Sequence, residues 1–383
     1  MDRMLQSEEA ARRLGVKVAT LYAYVSRGLL ESHPEANGRR RLFDLADIER
    51  LAKRRRGGRE VETRLATITT GVTQLRDDGP AYRGRPATQL AAEMSYEEVA
   101  AWLWQDDAEG DWTAPALSPC PQSLTESADR MRWTLVMCGA GDPLRADARP
   151  ETLARSSRRV IAALVDSVGP RLPAEDPTAP IAARLAARLV GRQSSLSAAA
   201  MNAALILMAD HELATSTLAV RVAASVRADL YDALLAGLAT MAGPLHGGAS
   251  QQAYELLVTA ERDGAARALN DALRSQRYLP GFGHAVYTHV DPRFEALLPL
   301  VEPLLSDGRR DLLEEIMALA EANQVGPRNC DLALAALSWG TGMPTDAGRT
   351  IFTIARVAGW TAHYREELSE RPLRFRARAV YSV

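Results

Sequence analysis

The segment ADLYDALLAGLATMAGPLHGGA, residues 228–249, decides how the chain is read. Its first fourteen residues place Ala and Leu at helical spacing, and Gly243-Pro244 ends that helix just before a histidine, His246, set among glycines. Gly243, Gly247 and Gly248 offer backbone conformations closed to other residues, so His246 reads as presented to a ligand rather than packed. The device recurs at Pro280-Gly281-Phe282-Gly283-His284, with Asp291-Pro292-Arg293 soon after. One such histidine is ordinarily a turn residue bonded to backbone. Two in a helical chain point to a built site.

The surrounding composition favours a mainly α fold. Of 383 residues 47% are apolar but only 5% aromatic, the excess being the helix formers Ala and Leu. This length holds two or three units. Cys120, Cys138 and Cys330 are odd in number and lack metal-ligand spacing, and no cleavable leader is expected, which suggests a reducing, cytoplasmic setting. No apolar run approaches the roughly 20 residues of a membrane span. With no phosphate-binding glycine loop and no His/Cys cluster, neither a metal nor a resident cofactor is expected. Net charge is only −2, yet residues 1–60 carry 14 Lys and Arg against nine Asp and Glu. That local excess points to an anionic partner for this end of the chain.

Residues 5–56 read as a small domain. Ser7 is placed to cap a first helix ending at Gly15, and Val18–Arg27 forms a second helix ending at Gly28, the pattern of a helix-turn-helix. A polar turn at 34–38 leads to Arg39-Arg40-Arg41-Leu42-Phe43, a basic strand of a β-hairpin wing, and Asp44 caps a helix over Leu45–Lys53. The pattern E-A-A-x-x-L-G-V followed by T-L-Y-x-Y-V-S-R-G resembles the winged helix-turn-helix of the MerR and excisionase type. The resemblance implies duplex DNA as partner, with Thr20, Tyr22 and Arg27 towards bases or phosphates and Arg39, Arg40 and Arg41 on the backbone. A purely structural adaptor is the alternative. Domain bounds are 1–56, a linker at 57–61, and a body over 62–383 whose smaller part spans roughly 228–330.

The body opens with a short strand over Leu65–Thr73, turned at Asp77-Asp78-Gly79, then becomes helical. Ser95 and Glu98 form a capping box, and helices resume at about Ser123. An all-apolar helix, Ala203–Met208, delivers Asp210-His211-Glu212, with Ser216-Thr217 and Arg221 beyond. His211 is either a pocket residue or satisfied by its acidic neighbours. Asp331 in Asn329-Cys330-Asp331 sits where a helix cap would. Arg356 lies among small apolar residues of the last helix, expected over Thr350–Glu367. Several arginines with histidines and one shielded aspartate suit a small polyanion and proton abstraction beside a carbonyl.

These motifs, Asp210-His211-Glu212, Gly243–Gly248, Pro280–Tyr287 with Asp291–Arg293, Asn329–Asp331 and Arg356, stand in the order of the citrate synthase family, which the body resembles. The resemblance implies a helical homodimer that condenses oxaloacetate with acetyl-CoA, giving citrate, or with propionyl-CoA, giving 2-methylcitrate. His246 would bind the thioester carbonyl, Asp331 would take the α-proton, and His284 would polarise the ketone. His211, Arg293 and Arg356 would hold carboxylates, joined by Arg374 from the second subunit, and Leu279, Pro280, Gly281, Phe282 and Gly283 would receive the CoA adenine. A regulator that uses such a body as a metabolite sensor is the competing reading. Phe375 stands where the family has proline after its tail arginine, and Arg328 is displaced from the family's basic position.

Overall fold

The computed structural model describes residues 4–14, 16, 18–26, 30, 32–34, 41–45, 47–48, 68–106, 109–169, 176–192, 194–244, 246–276 and 278–375. The chain forms two compact units, Met1–Thr69 and Thr70–Val383.

In the first unit, strands β1 (Met4–Gln6), β2 (His33–Pro34) and β3 (Arg41–Asp44) form an antiparallel sheet with β3 central. Helices α1 (Ser7–Leu14) and α2 (Val18–Ser26) pack on it. The register sets Leu5 opposite Phe43, and both are buried with Ala10, Ala11, Leu14, Leu21, Leu30 and Ile48. Two differences from the sequence expectation stand out. A three-residue strand, β1, precedes the helices; it is too short to carry a periodic signal of its own. Ser7 is the first helical residue rather than a cap, its hydroxyl 2.9 Å from that of Tyr22. Tyr22 thus keeps an exposed ring, 42% accessible, but a hydroxyl already engaged. Thr20 is half-buried, and Arg41 donates to Ser32 Oγ at 2.9 Å. Arg27, Arg39, Arg40 and the 57–61 linker lie outside the described residues.

The second unit begins with a small antiparallel sheet, β4 (Thr73–Arg76), β5 (Gly79–Tyr82) and β6 (Arg85–Pro86). Among the described residues the first strand therefore starts at Thr73, with residues 68–70 irregular; Leu65, Ala66 and Thr67 of the expected strand lie outside them. Fourteen helices follow among the described residues: α3 (Ala87–Glu93), α4 (Tyr96–Trp104), α5 (Ser127–Ala140), α6 (Pro150–Ser167), α7 (Ile181–Val190), α8 (Ser195–Met208), α9 (Thr215–Ser225), α10 (Leu230–Met241), α11 (Ala249–Asp263), α12 (Ala265–Gln276), α13 (Pro292–Val301), α14 (Asp307–Ala322), α15 (Cys330–Thr341) and α16 (Ala347–Leu368). The Ser95–Glu98 capping box forms at the start of α4.

The core is built on two helices buried almost all round, α8 and α16. Their small residues allow close approach: the Gly359 N–H reaches the Ala209 carbonyl at 3.1 Å, and a Cβ at Gly359 would collide with Asp210. Helices α4, α6, α9 and α10 surround α16, while α11 packs on α15, and α12 and α14 lie beyond α11. The loops that end α8, precede α11, precede α13 and precede α15 thereby converge on one place.

Candidate active site

Those loops line a cavity of about 440 Å³ bounded by His211, His246, Leu279–Val286, Arg293, Asn329–Asp331, Phe352 and Arg356. Residues far apart in sequence, from 211 to 356, therefore share one wall.

His246 follows α10 on a turn closed by its own N–H to Gly243 O, 3.0 Å. The glycines around it do not adopt left-handed conformations, contrary to the sequence reading. They are required by crowding instead: a Cβ on Gly247 would strike the Met241 carbonyl and approach its sulfur to 3.0 Å. The imidazole Nε2 lies 2.8 Å from Ser216 Oγ, in the first turn of α9. Ser216 Oγ already accepts from Trp360 Nε1 at 3.3 Å, so its own proton is free to donate to His246. With that proton given to Nε2, the His246 proton would sit on Nδ1. Burial, then the charge of Arg356, lowers the His246 pKa to about 4, and the ring stays neutral.

His284 lies in the second glycine-framed loop, where Gly281 and Gly283 do have positive φ, +84° and +81°. A Cβ on Gly281 would come within 2.9 Å of Leu332 Cβ. The loop is stitched to the chain before α15 by Gly283 N–H to Pro327 O (2.6 Å), Asn329 N–H to Gly281 O (3.0 Å) and Asn329 Nδ2 to Gly283 O (2.7 Å). His284 Nδ1 accepts from the Val286 and Tyr287 N–H groups at 3.0 and 3.1 Å, which leaves its proton on Nε2. Arg293 Nη2 lies 3.2 Å from that same Nε2. Two donors thus face each other, an arrangement that an acceptor oxygen between them would relieve. Burial, then Arg293, lowers the His284 pKa.

Asp331 is not the cap of α15. Asn329 takes that role, its side chain accepting from the Asp331 N–H at 3.0 Å, so the Asp331 carboxylate is released into the cavity. Burial raises its pKa to about 6 against the opposing pull of Arg293. Arg293 itself is held by Asp291 through bonds of 3.0 and 2.9 Å, and Asp291 also accepts the Cys330 N–H at 2.9 Å.

Two more groups lack partners. Arg356 donates Nε to Met208 O at 2.8 Å, but its Nη1 and Nη2 are buried and unbonded. His211 Nε2 is likewise buried and unbonded, its ring edge-on to His284 at 5.3 Å and its pKa well lowered by burial, then by Arg293 and Arg356. Unpaired buried donors are costly, so this wall suits a ligand rich in acceptor oxygens.

Arg374 does not line the cavity of its own chain; it forms a two-point pair with Glu367 at 2.7 and 2.6 Å. Arg328 bonds Glu295 at 2.9 Å. Sequence reasoning gave Ser216, Trp360 and Asp291 no role. Asp291 carried a signal, as an acidic N-cap immediately before Pro-Arg; the hydroxyl relay from α16 through α9 carried none. Among the described residues no cluster of three or more His, Cys, Asp or Glu suits a metal, and no helix is long and apolar enough to cross a membrane.

The family model for the citrate synthase C-terminal domain matches residues 60–378, and a helix-turn-helix domain model matches residues 4–56. Relatives include 2-methylcitrate synthase of Shewanella oneidensis, 29% identical over 82% of this chain and 90% of that protein. Citrate synthase 2 of Bacillus subtilis is 28% identical, covering 83% and 94%. In fold the chain resembles citrate synthase of Thermotoga maritima, with a TM-score of 0.68 at 23% identity over 83% and 94% of the two chains. It also resembles the Thermoplasma acidophilum enzyme in ternary complex with carboxymethyl coenzyme A and oxaloacetate, TM-score 0.67, 23% identity, covering 84% and 94%.

Proposed function

Since the chain belongs to the citrate synthase family, we propose that its body condenses oxaloacetate with a short acyl-CoA. Acetyl-CoA would give citrate and free CoA. The observation that carries the reading is the convergence, in one cavity, of His246, bonded through Nε2 to Ser216 Oγ, and the Asp331 carboxyl, left uncommitted by the Asn329 cap and raised in pKa by burial.

Asp331 takes a proton from the carbon beside the thioester carbonyl while His246 Nδ1–H bonds the carbonyl oxygen, so charge develops towards a fixed donor. The enol carbon then attacks the ketone of oxaloacetate. His284 and Arg293 offer their facing donors to that ketone oxygen, and the free end of Arg356, with His211, takes a carboxylate. Hydrolysis of the thioester releases citrate and the CoA thiol. Leu279–Gly283 would receive the CoA adenine, and Arg374 would enter the site of a second subunit in a homodimer.

Propionyl-CoA is the second reading, supported by the Shewanella relative. One methylene separates the two donors, worth about 1–3 kcal/mol in a pocket. The test follows thiol release from oxaloacetate with each acyl-CoA. Thiol release with neither, by folded protein, refutes the condensation; the ratio of the two kcat/KM values assigns the donor. We infer further that the first unit binds duplex DNA, supported by its helix-turn-helix match and its excess of basic residues. The body would then also sense metabolites.

A further inference from the structure

A separate cavity of about 450 Å³ opens between the β5–β6 turn, the end of α4, the start of α6 and the last turns of α16. Arg83 and Arg365 both line it. Each is anchored through backbone: Arg83 Nε donates to Leu103 O at 2.7 Å and Nη1 to Gly71 O at 3.5 Å, while Arg365 Nη1 donates to Trp104 O. Neither guanidinium forms an ion pair with a described carboxylate.

The nearby acids are already engaged. Asp106 takes Arg158 at 2.7 Å, Glu366 takes Arg221 and the Gly71 N–H, and Glu151 lies 3.6 Å from Arg149. Burial lowers the pKa of both arginines, against the pull of Glu366 on Arg83; for Arg365 it acts against Asp106 and Glu151 and is reinforced by Arg83. Two half-buried cations thus face one cavity, whose wall also holds Glu366, a carboxylate already bonded to Arg221 and to the Gly71 N–H.

Backbone conformation supplies an independent observation. Arg83 and Gly84 form a two-residue hairpin turn with φ +45° and +87°, a turn that favours Asn-Gly. Gln105, also in the wall, has φ +53°. Long polar side chains thus occupy two left-handed positions at this cavity, and strain of this kind is retained where surrounding contacts or function require it. Pro150, Leu153, Ala362 and Leu368 add an apolar wall. The volume is that of a small-molecule site rather than of a bare ion.

We propose that this cavity binds a small organic oxyanion, a metabolite carrying a phosphate or carboxylate group, between Arg83 and Arg365. The site is independent of the condensation reaction. Calorimetric titration of the full chain with glycerol 3-phosphate and with succinate tests it, in wild type, Arg83→Gln, Arg365→Gln and Arg356→Ala. Saturable binding of at least one probe is expected in wild type and, unchanged, in Arg356→Ala, with a tenfold or greater loss, about 1.4 kcal/mol, in both other variants. The stronger probe identifies the anionic group. Absence of saturable binding by either probe, or binding lost only in Arg356→Ala, overturns the proposal. If the Arg83 and Arg365 variants do not fold, wild-type crystals soaked in tungstate decide: density between the two guanidinium groups upholds the site, and its absence refutes it.

Discussion

At Asp331 stability and chemistry pull in opposite directions. Burial raises its pKa from 3.8 to about 6, so above that pH the folded state holds a carboxylate it would rather protonate. For an acid whose folded pKa is raised, the cost is full above the folded pKa and vanishes below the unfolded one. Asp331→Asn should therefore stabilise the protein by about 1–2 kcal/mol at pH 8 and by nothing at pH 3, while losing nearly all turnover. Denaturant midpoints at the two pH values check this; equal shifts at both would contradict it. The same pKa predicts that kcat/KM climbs with pH through about 6. His246, at about 4, contributes no limb near neutrality. Ser216→Ala removes the hydroxyl bonded to His246 Nε2. It should lower kcat by up to the roughly 10²- to 10³-fold that a lost oxyanion donor costs, with little change in oxaloacetate KM. A pure KM effect would refute the relay.

Among the elements, α16 carries more than its sequence advertises. An arginine among small apolar residues marks Arg356 as an anion seeker, and the glycine-framed loops mark His246 and His284; these were legible because each breaks a local pattern. What stayed hidden depends on contacts between elements. His363, 0% exposed, sits two turns beyond Arg356, its Nε2 3.1 Å from Asp210 Oδ2 and its Nδ1 3.0 Å from Arg221 Nη1. Arg221 continues to Glu366 and Glu367, and Glu367 to Arg374. No spacing rule joins residues 210, 221, 363 and 374. The capping of α15 was likewise illegible, since Asn329 and Asp331 are both acceptable caps and only the folded loop selects Asn329. Because Arg221 can only donate, His363 Nδ1 accepts, and its Nε2–H serves Asp210. His363→Ala leaves both neighbours buried and short of a partner. It should cost about 3 kcal/mol in chemical denaturation, more than Arg365→Gln on the solvent side of the same helix.

On the scale of the whole molecule, the fold class follows from the Ala- and Leu-rich periodicity, whereas the proposed assembly and the role of the first unit rest on charge. Arg374 is sequestered by Glu367 in its own chain, so if it serves a partner's site the homodimer must exchange that pair. Sedimentation at assay concentration should show a dimer. For the first unit, α2 reads VATLYAYVS and carries no Arg, Lys, Asn or Gln, the side chains that make two-point contacts with base edges. Of its candidates, Thr20 is half-buried and the Tyr22 hydroxyl is engaged by Ser7. Affinity should therefore come mainly from phosphates, met by Arg41 and the other basic residues of 1–60. Binding to duplex DNA should weaken steeply with salt, each neutralised phosphate adding about −0.9 to the log-log slope. It should discriminate poorly between sequences of equal length. Fluorescence anisotropy on unrelated duplexes across a salt series measures both. A flat salt dependence, or a thousandfold preference for one sequence, would show that this short apolar helix reads bases by contacts other than those it exposes.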